Sequence, residues 1–428
     1  MKRVSIKLTV ACAALLAAAP ESNAQPLPMR TLAGNKSSGA TNGYGSNARF
    51  NLPLGVATDA AGNVYVADTQ NGTVRKIAPD GFAGSFAGWA GIFGSTNGSG
   101  AEARFYSPQG IAVDSAGNVF VSDTGNATVR KITPDGTVST LAGLATNLNS
   151  FDGAGAAARF YQPQGLAVDA AGNVYVADSW NHTIRKITPV GVVSTLAGRA
   201  GNPGSADGTN SKARFNRPAG IAVDSATNLF ITDSLNHTIR KITPAGSVST
   251  LAGLAGVWGS ADGTNNSARF FQPQGIVAAD TNVLFVADSG NQTVRKIMSD
   301  GTNWVVSTGA GVAGLAGSTN GTGGAAQFYF PGGLALDNAG YLYVADSGNQ
   351  LIRTTRVVPP RLITLRSPDH LFLTWPVSAE DFVLESSPVL EAEGLWTPLT
   401  NGVVNLGDNF GVTTPTGGDA AFYRLHKP

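Results

Sequence analysis

Through residues 163–198, apolar and polar positions alternate in short runs separated by turn-forming clusters, and most of the chain keeps this rhythm. GLAVD (165–169) is a short apolar run that ends in the cluster 170–173. VYVAD (174–178) alternates β-forming and small residues, as a half-buried strand does. Polar residues 179–182 follow, and their Asn and Ser side chains suit a turn because they satisfy nearby backbone groups. TIRKI (183–187) alternates again, Pro189 and Gly191 mark a second turn, and VVSTLA (192–197) supplies a fourth run. No helical period intervenes, so the pattern predicts four short antiparallel strands.

The unit is copied along the chain. VYVADSWNHTIRKI (174–187) has close copies at 64–77, 119–132, 229–242 and 284–297, and a degenerate one at 342–355. Their aspartates, Asp68, Asp123, Asp178, Asp233, Asp288 and Asp346, are spaced by 55 residues, and by 58 in the last interval. A fixed period of this length means one supersecondary unit repeated as an array, and four strands per period make a propeller blade. The expected fold is all-β: a six-bladed β-propeller of four-stranded antiparallel blades over residues 25–358. The sixth copy stops after its third strand, before Pro359-Pro360. MRTLAG (29–34) matches the fourth runs of other repeats at 139–143 and 194–198, so this N-terminal strand is expected to close the last blade. Closure leaves no long free sheet edge.

The third repeat fills a longer core, F-x-x-P-x-G-[IL]-A-V-D-x-x-G-N-V-Y-V-A-D-x-x-N-H-x-I-R-K. Phe160, Pro163, Gly165, Asp169, Gly172, Asn173, Asp178, Asn181, His182, Ile184 and Arg185 hold its fixed places. This core resembles the NHL repeat, and six such units cover roughly residues 29–357. The resemblance implies a propeller. The last units drift from the pattern: Ala279 stands where the first Asp belongs, with Asp280 one place on, and Gln292 and Gln350 replace the His.

The ends differ from the ring. Lys2, Arg3 and Lys7 precede an apolar run at 8–19, and Ser22-Asn23-Ala24 offers small residues for cleavage. Residues 1–24 are therefore expected to be a signal peptide cut after Ala24, which places the protein in the periplasm or outside the cell. The run is short for a membrane span, so no transmembrane segment is expected in the mature chain. Cys12, the only cysteine, lies in this leader, so no disulfide is expected. From 361 to 428 the period is lost. Runs at 371–375, 382–385, 395–399, 403–405 and 422–425 predict a small β-sandwich-like module, similar to one that ends many secreted bacterial proteins, with Trp375 and Trp396 as core.

Charge narrows the partners. The whole chain has 29 Lys and Arg against 28 Asp and Glu, and losing Lys2, Arg3, Lys7 and Glu21 brings the formal charge to −1. Nucleic acid is not an expected partner, because phosphate binding needs a concentrated basic surface and these Arg-Lys pairs fall one per repeat. A monomer that binds a protein or a carbohydrate is expected.

In an up-and-down blade, the turn between strands two and three shares a face with the crossover to the next blade. Those crossovers run to about twenty residues, and loops of such length tend to be functional. The ligand site is therefore expected on this long-loop face. Residues that vary between repeats there are Trp180 and Leu235 in one turn position, and Phe93 and Trp258 in one loop position with Trp89 nearby. Exposed aromatics beside polar loops suit glycan or protein contacts. Repeated residues read as construction instead. This covers Asp68, Asp123, Asp178, Asp233, Asp288 and Asp346 with their following arginines, Arg75, Arg130, Arg185, Arg240, Arg295 and Arg353. It also covers the Ala-Arg-Phe triplets with Arg49, Arg104, Arg159, Arg214 and Arg269, whose phenylalanines should wedge between blades.

The alternative is a metal-dependent lactonase or lyase with its site at the channel mouth. A catalytic zinc wants three convergent ligands and an open position. Residues 25–357 contain only His182, His237 and Glu102 of the usual histidine and glutamate ligands, and both histidines sit in the repeat's own turn. For calcium, the loops at 151–155, 205–210 and 260–265 each bring a single carboxylate. No catalytic residue and no cofactor is assigned, with zinc or calcium as the open alternative.

Overall fold

The computed structural model describes residues 25–356 and, beyond them, 363–367, 369–376, 383–387, 396–399, 401–406, 409–415 and 422–426. The leader expected at 1–24 lies outside the described residues.

Within the ring every regular element is a strand or a single 3-10 turn, as the alternating pattern requires. In the third blade the innermost strand Pro163–Val168 is followed outwards by Val174–Asp178, Thr183–Ile187 and Val192–Gly198, all antiparallel. A fifth strand, Gly153–Ala154, pairs with Val193 and Val192 on the outer edge. The described residues hold six such five-stranded sheets, where four strands per blade were expected. The added strand comes from the crossover out of the preceding blade. Two small residues carry no alternation to read, yet they satisfy backbone groups that the outer edge would leave open. The Gly155 N–H donates to the Gly191 carbonyl at 2.9 Å and pins the crossover beside the turn between strands three and four.

In the last sheet, the N-terminal strand Pro28–Ala33 lies between Leu351–Thr354 and Gly321–Thr322, as the match of residues 29–34 predicts. The ring also closes at its inner radius. A Cβ added to Gly110 would stand 2.0 Å from the Gln164 carbonyl oxygen, and one on Gly333 would stand 2.7 Å from that of Leu54. Adjacent inner strands approach so closely at these repeated glycines that no side chain fits. The Ser347 hydroxyl donates to the Pro53 carbonyl at 2.6 Å, joining the last blade to the first.

The core lies between blades. Phe215 is fully buried with Tyr175, Ile184 and Ala197 of the third blade on one side and Ile221, Leu229 and Ile231 of the fourth on the other. Phe50, Phe105, Phe160, Phe270 and Phe328 are equally buried at the other five junctions. Six wedges of one aromatic each therefore hold the ring, and burying each contributes about 1.5–3 kcal/mol.

After the ring, Ile363–Arg366, His370–Pro376, Asn409–Pro415 and Val404–Asn405 form one sheet, and Thr397–Pro398, Val383–Ser387 and Phe422–His426 another. Leu373, Trp375 and Val412 of the first share a buried cluster with Leu384 of the second. Trp396 is half-buried, and Arg424 stacks on it at 4.3 Å while pairing with Glu385 at 2.8 Å.

Candidate functional site

Each blade carries the same buried polar cluster. In the third, Asp178 Oδ2 accepts from Arg185 Nη1 at 2.7 Å and Asn181 Nδ2 at 2.8 Å, and its Oδ1 accepts the Tyr161 N–H at 2.8 Å. Arg185 also donates to the Arg159 and Phe151 carbonyls and to Asp152, and it lies 5.2 Å from the Phe160 ring. The equivalent pairs Asp68–Arg75, Asp123–Arg130, Asp233–Arg240, Asp288–Arg295 and Asp346–Arg353 are sealed in the same way. Burial pushes the Asp178 carboxyl up to about 6, and the Arg185 charge and the donors from Asn181 and Tyr161 oppose it. A group so enclosed has no route to a ligand.

The loops considered for calcium are engaged elsewhere. Asp152, Asp207 and Asp262 pair with Arg185, Arg240 and Arg295 at 2.6–2.7 Å and accept from Thr195, Thr250 and Thr308. The triplet arginines turn onto local carbonyls: Arg104 on Ala101 and Ala103, Arg159 on Ala156 and Ala158, Arg214 on Ser211 and Ala213, and Arg269 on Asn266 and Ala268. Arg49 donates to Asn35 at 2.6 Å.

The exchange of His for Gln has a physical reason. His182 Nδ1 accepts the Arg217 N–H at 3.1 Å, and His237 Nδ1 accepts that of Gln272 at 3.2 Å. Gln292 Oε1 and Gln350 Oε1 accept from Phe330 and Leu52, each at 2.5 Å. Both side chains place one acceptor under the strained residue that opens the next blade, where φ is 48–53°. Burial keeps both histidines less basic than usual, and the Arg217 charge adds to this at His182. Among the described residues no three His, Cys, Asp or Glu side chains converge as metal ligands would.

The long crossovers are mostly built into the wall, running down to the fifth strand and back past the buried phenylalanine. Their first turns, and the residues just before each inner-strand proline, stay on the upper face. The Gly91, Thr146 and Gly256 N–H groups there donate to the Asn71, Asn126 and Asn236 carbonyls at 3.0–3.2 Å. Trp89, Phe93 and Trp258 sit in these turns and are 56%, 48% and 65% exposed. Phe93 packs on Tyr106 at 5.8 Å, Trp258 on Phe271 at 5.0 Å, and Arg104 stacks on Trp89 at 5.7 Å. Trp180 and Leu235, both half-buried, line one pocket together, which Phe93 does not reach.

The residue after each wedge phenylalanine is coupled to the turn it covers. Tyr106, Phe271 and Tyr329 lie flat over Gly125, Gly290 and Gly348, where a Cβ would come within 2.7 Å of the ring. In the third blade Trp180 replaces the glycine, and Tyr161 tilts against it at 5.2 Å. At the centre, inner strands enclose a cavity of about 290 Å³ whose mouth presents Gln109, Gln164 and Gln274, with Leu54, Ala219 and Gly332 at the equivalent places. A groove of about 400 Å³ runs from there between Gln70, Phe93, Tyr106, Ser107 and Gln162. None of these glutamines, nor Tyr106, stands out in the repeat pattern. For Gln109, Gln164 and Gln274 the signal was the varying residue after each inner-strand proline.

These sheets, ring closure and inter-blade wedges define a β-propeller. The NHL repeat model matches residues 50–77, 105–132, 160–187 and 328–354, so the propeller carries NHL repeats. NHL repeat-containing protein 2 of Bos taurus is 28% identical over 297 residues, covering 61% of this chain and 41% of that protein. Teneurin-4 of Mus musculus is 25% identical over 386 residues, covering 81% of this chain and 13% of its own length. The chain thus spans about two fifths of the first relative and far less of the second. A Bacteroides thetaiotaomicron protein of unknown function superposes with a TM-score of 0.60 at 20% identity, over 77% of this chain and 76% of that one. An auxiliary nutrient binding protein from Bacteroides ovatus gives 0.56 at 15% identity, with the same coverage. No helix among the described residues is long and apolar enough to cross a membrane.

Proposed function

We propose that this protein is an exported, non-catalytic binding propeller that recognises glycans at the channel mouth of its crossover face. The observation that carries the reading is the combination of Tyr106 and Phe93 rings with the Gln70, Gln109 and Gln162 amides along one open groove. Aromatic faces take the C–H side of a sugar ring, and amides both donate to and accept from hydroxyls. Ligand sites of this kind are concave, largely apolar and oriented by a few polar groups. That a protein of similar fold is named for nutrient binding is compatible with it. Export rests on the leader at 1–24, and the segment from 361 onwards is read as an accessory β module.

The test is a glycan array probed with the purified protein, followed by calorimetry on the ligands found. Phe93→Ala and Tyr106→Ala are expected to weaken binding at least tenfold, whereas Val190→Ala, in an exposed turn of the opposite face, leaves it unchanged. Loss of binding in Val190→Ala alone, or protein partners with no glycan, would sink the reading. Cell fractionation with N-terminal sequencing tests export, and a mature chain starting at Gln25 is expected.

A further inference from the structure

The junction between the third and fourth blades departs from the rest of the ring at two adjacent places. The residue before each inner-strand proline is Leu52, Ser107, Gln162, Gln272 or Phe330 in five blades and Arg217 in the fourth, the one charged member. Two residues on, where Gln109, Gln164 and Gln274 present amides, the fourth blade has Ala219. The shortened side chain leaves a pocket of about 180 Å³, which Arg217, Trp180, Gln164, Gln272 and Gln274 line without any carboxylate.

Arg217 is held rather than neutralised. Its backbone is in the left-handed region at φ 51°, with the N–H bound to His182. Its guanidinium lies 3.9 Å from the centroid of the Trp180 ring. Stacking uses the flat face of the guanidinium and leaves its N–H edge free. Among the described residues it makes no ion pair and no side-chain hydrogen bond, unlike Arg185 or Arg240 in the blade interiors. A fixed cation beside a niche lined by amides fits a planar carboxylate, which can accept two parallel bonds from the fork.

We infer that this pocket receives the carboxylate of an acidic sugar residue, with Arg217 as the specificity-determining group. The inference rests on the glycan reading and sharpens it to a uronate-containing ligand. The test is calorimetry on the full chain with oligogalacturonate and its fully methyl-esterified form, matched in length. Wild-type protein is expected to prefer the acid form by about tenfold, and the preference should shrink with added salt. Arg217→Gln is expected to bring the ratio of the two affinities to about one, and Arg217→Lys to recover it partly. Circular dichroism checks that each variant is folded. An unchanged ratio in Arg217→Gln, or a wild-type protein that binds both forms equally, overturns the inference and leaves the glycan reading standing. Binding of neither form by folded wild-type protein, with neutral glycans bound on the array, also overturns it. An array with no glycan bound overturns both.

Discussion

The blade interiors and the rim of the channel follow opposite rules. Inside, Asp178, Asn181 and Arg185 and their counterparts keep identity and geometry from blade to blade, each carboxylate accepting from its arginine and its asparagine at 2.7–3.1 Å. At the rim, equivalent places hold Gln109, Ala219 and Gly332, or Gln162 and Arg217. A residue that the ring needs six times is spent on closing the ring. A residue that occurs once is free to meet something else. In a repeat protein, departure from the period is therefore the better guide to function.

The comparison can be broken first inside a blade. Arg240→Ala strands Asp233 in the interior and is expected to cost about 3–5 kcal/mol in chemical denaturation, as is Arg130→Ala in another blade. Markedly unequal costs would deny that the blades are equivalent. Phe215→Ala empties a wedge and should cost about 3–5 kcal/mol, with little effect on the face above it. Trp180→Ala sharpens the other side: it should move stability by less than about 1 kcal/mol yet lower ligand affinity at least tenfold.

The smallest effect separates the two histidine blades from the others. His182 and His237 are held less basic than usual, so the folded state favours their neutral form. Their contribution is present above the ordinary value of about 6.5 and is lost as pH falls through the lowered folded values. Protonation also removes the acceptors for Arg217 and Gln272. His182→Gln with His237→Gln copies the fifth and sixth blades, and should flatten this loss of about 1 kcal/mol or less in melts between pH 7 and 5. A pH profile identical to wild type would remove the histidines from the account.

Most of the architecture was legible because periodicity is a long-range signal. The aspartate spacing and the MRTLAG match together pointed to the blades and to the strand that closes them. The fifth strand was not legible, since Gly153 and Ala154 have no alternating side chains and pair only because the crossover carries them to an edge. The wedging of Phe160 between blades was legible from its repetition, but the long crossovers still read as loops of one face because nothing local shows that they run down to the outer edge. The rim was partly legible. Trp180 stood out against glycine, but Arg217 lies 37 positions away in the chain, and only the folded ring stacks the two.

Ring closure by the strand at 28–33 also has a consequence for biogenesis. Thr31 pairs with Arg353, so the first strand made waits for nearly the whole ring to be synthesised. Contact order is local within each blade and very high at this one seam, where loop-closure entropy opposes pairing. Until the seam forms, Leu351–Thr354 of the last blade and the N-terminal strand itself each show an open edge to neighbouring chains. Once it forms, the array has no terminal repeats to cap, and opening any one blade loosens two neighbours instead of fraying an end.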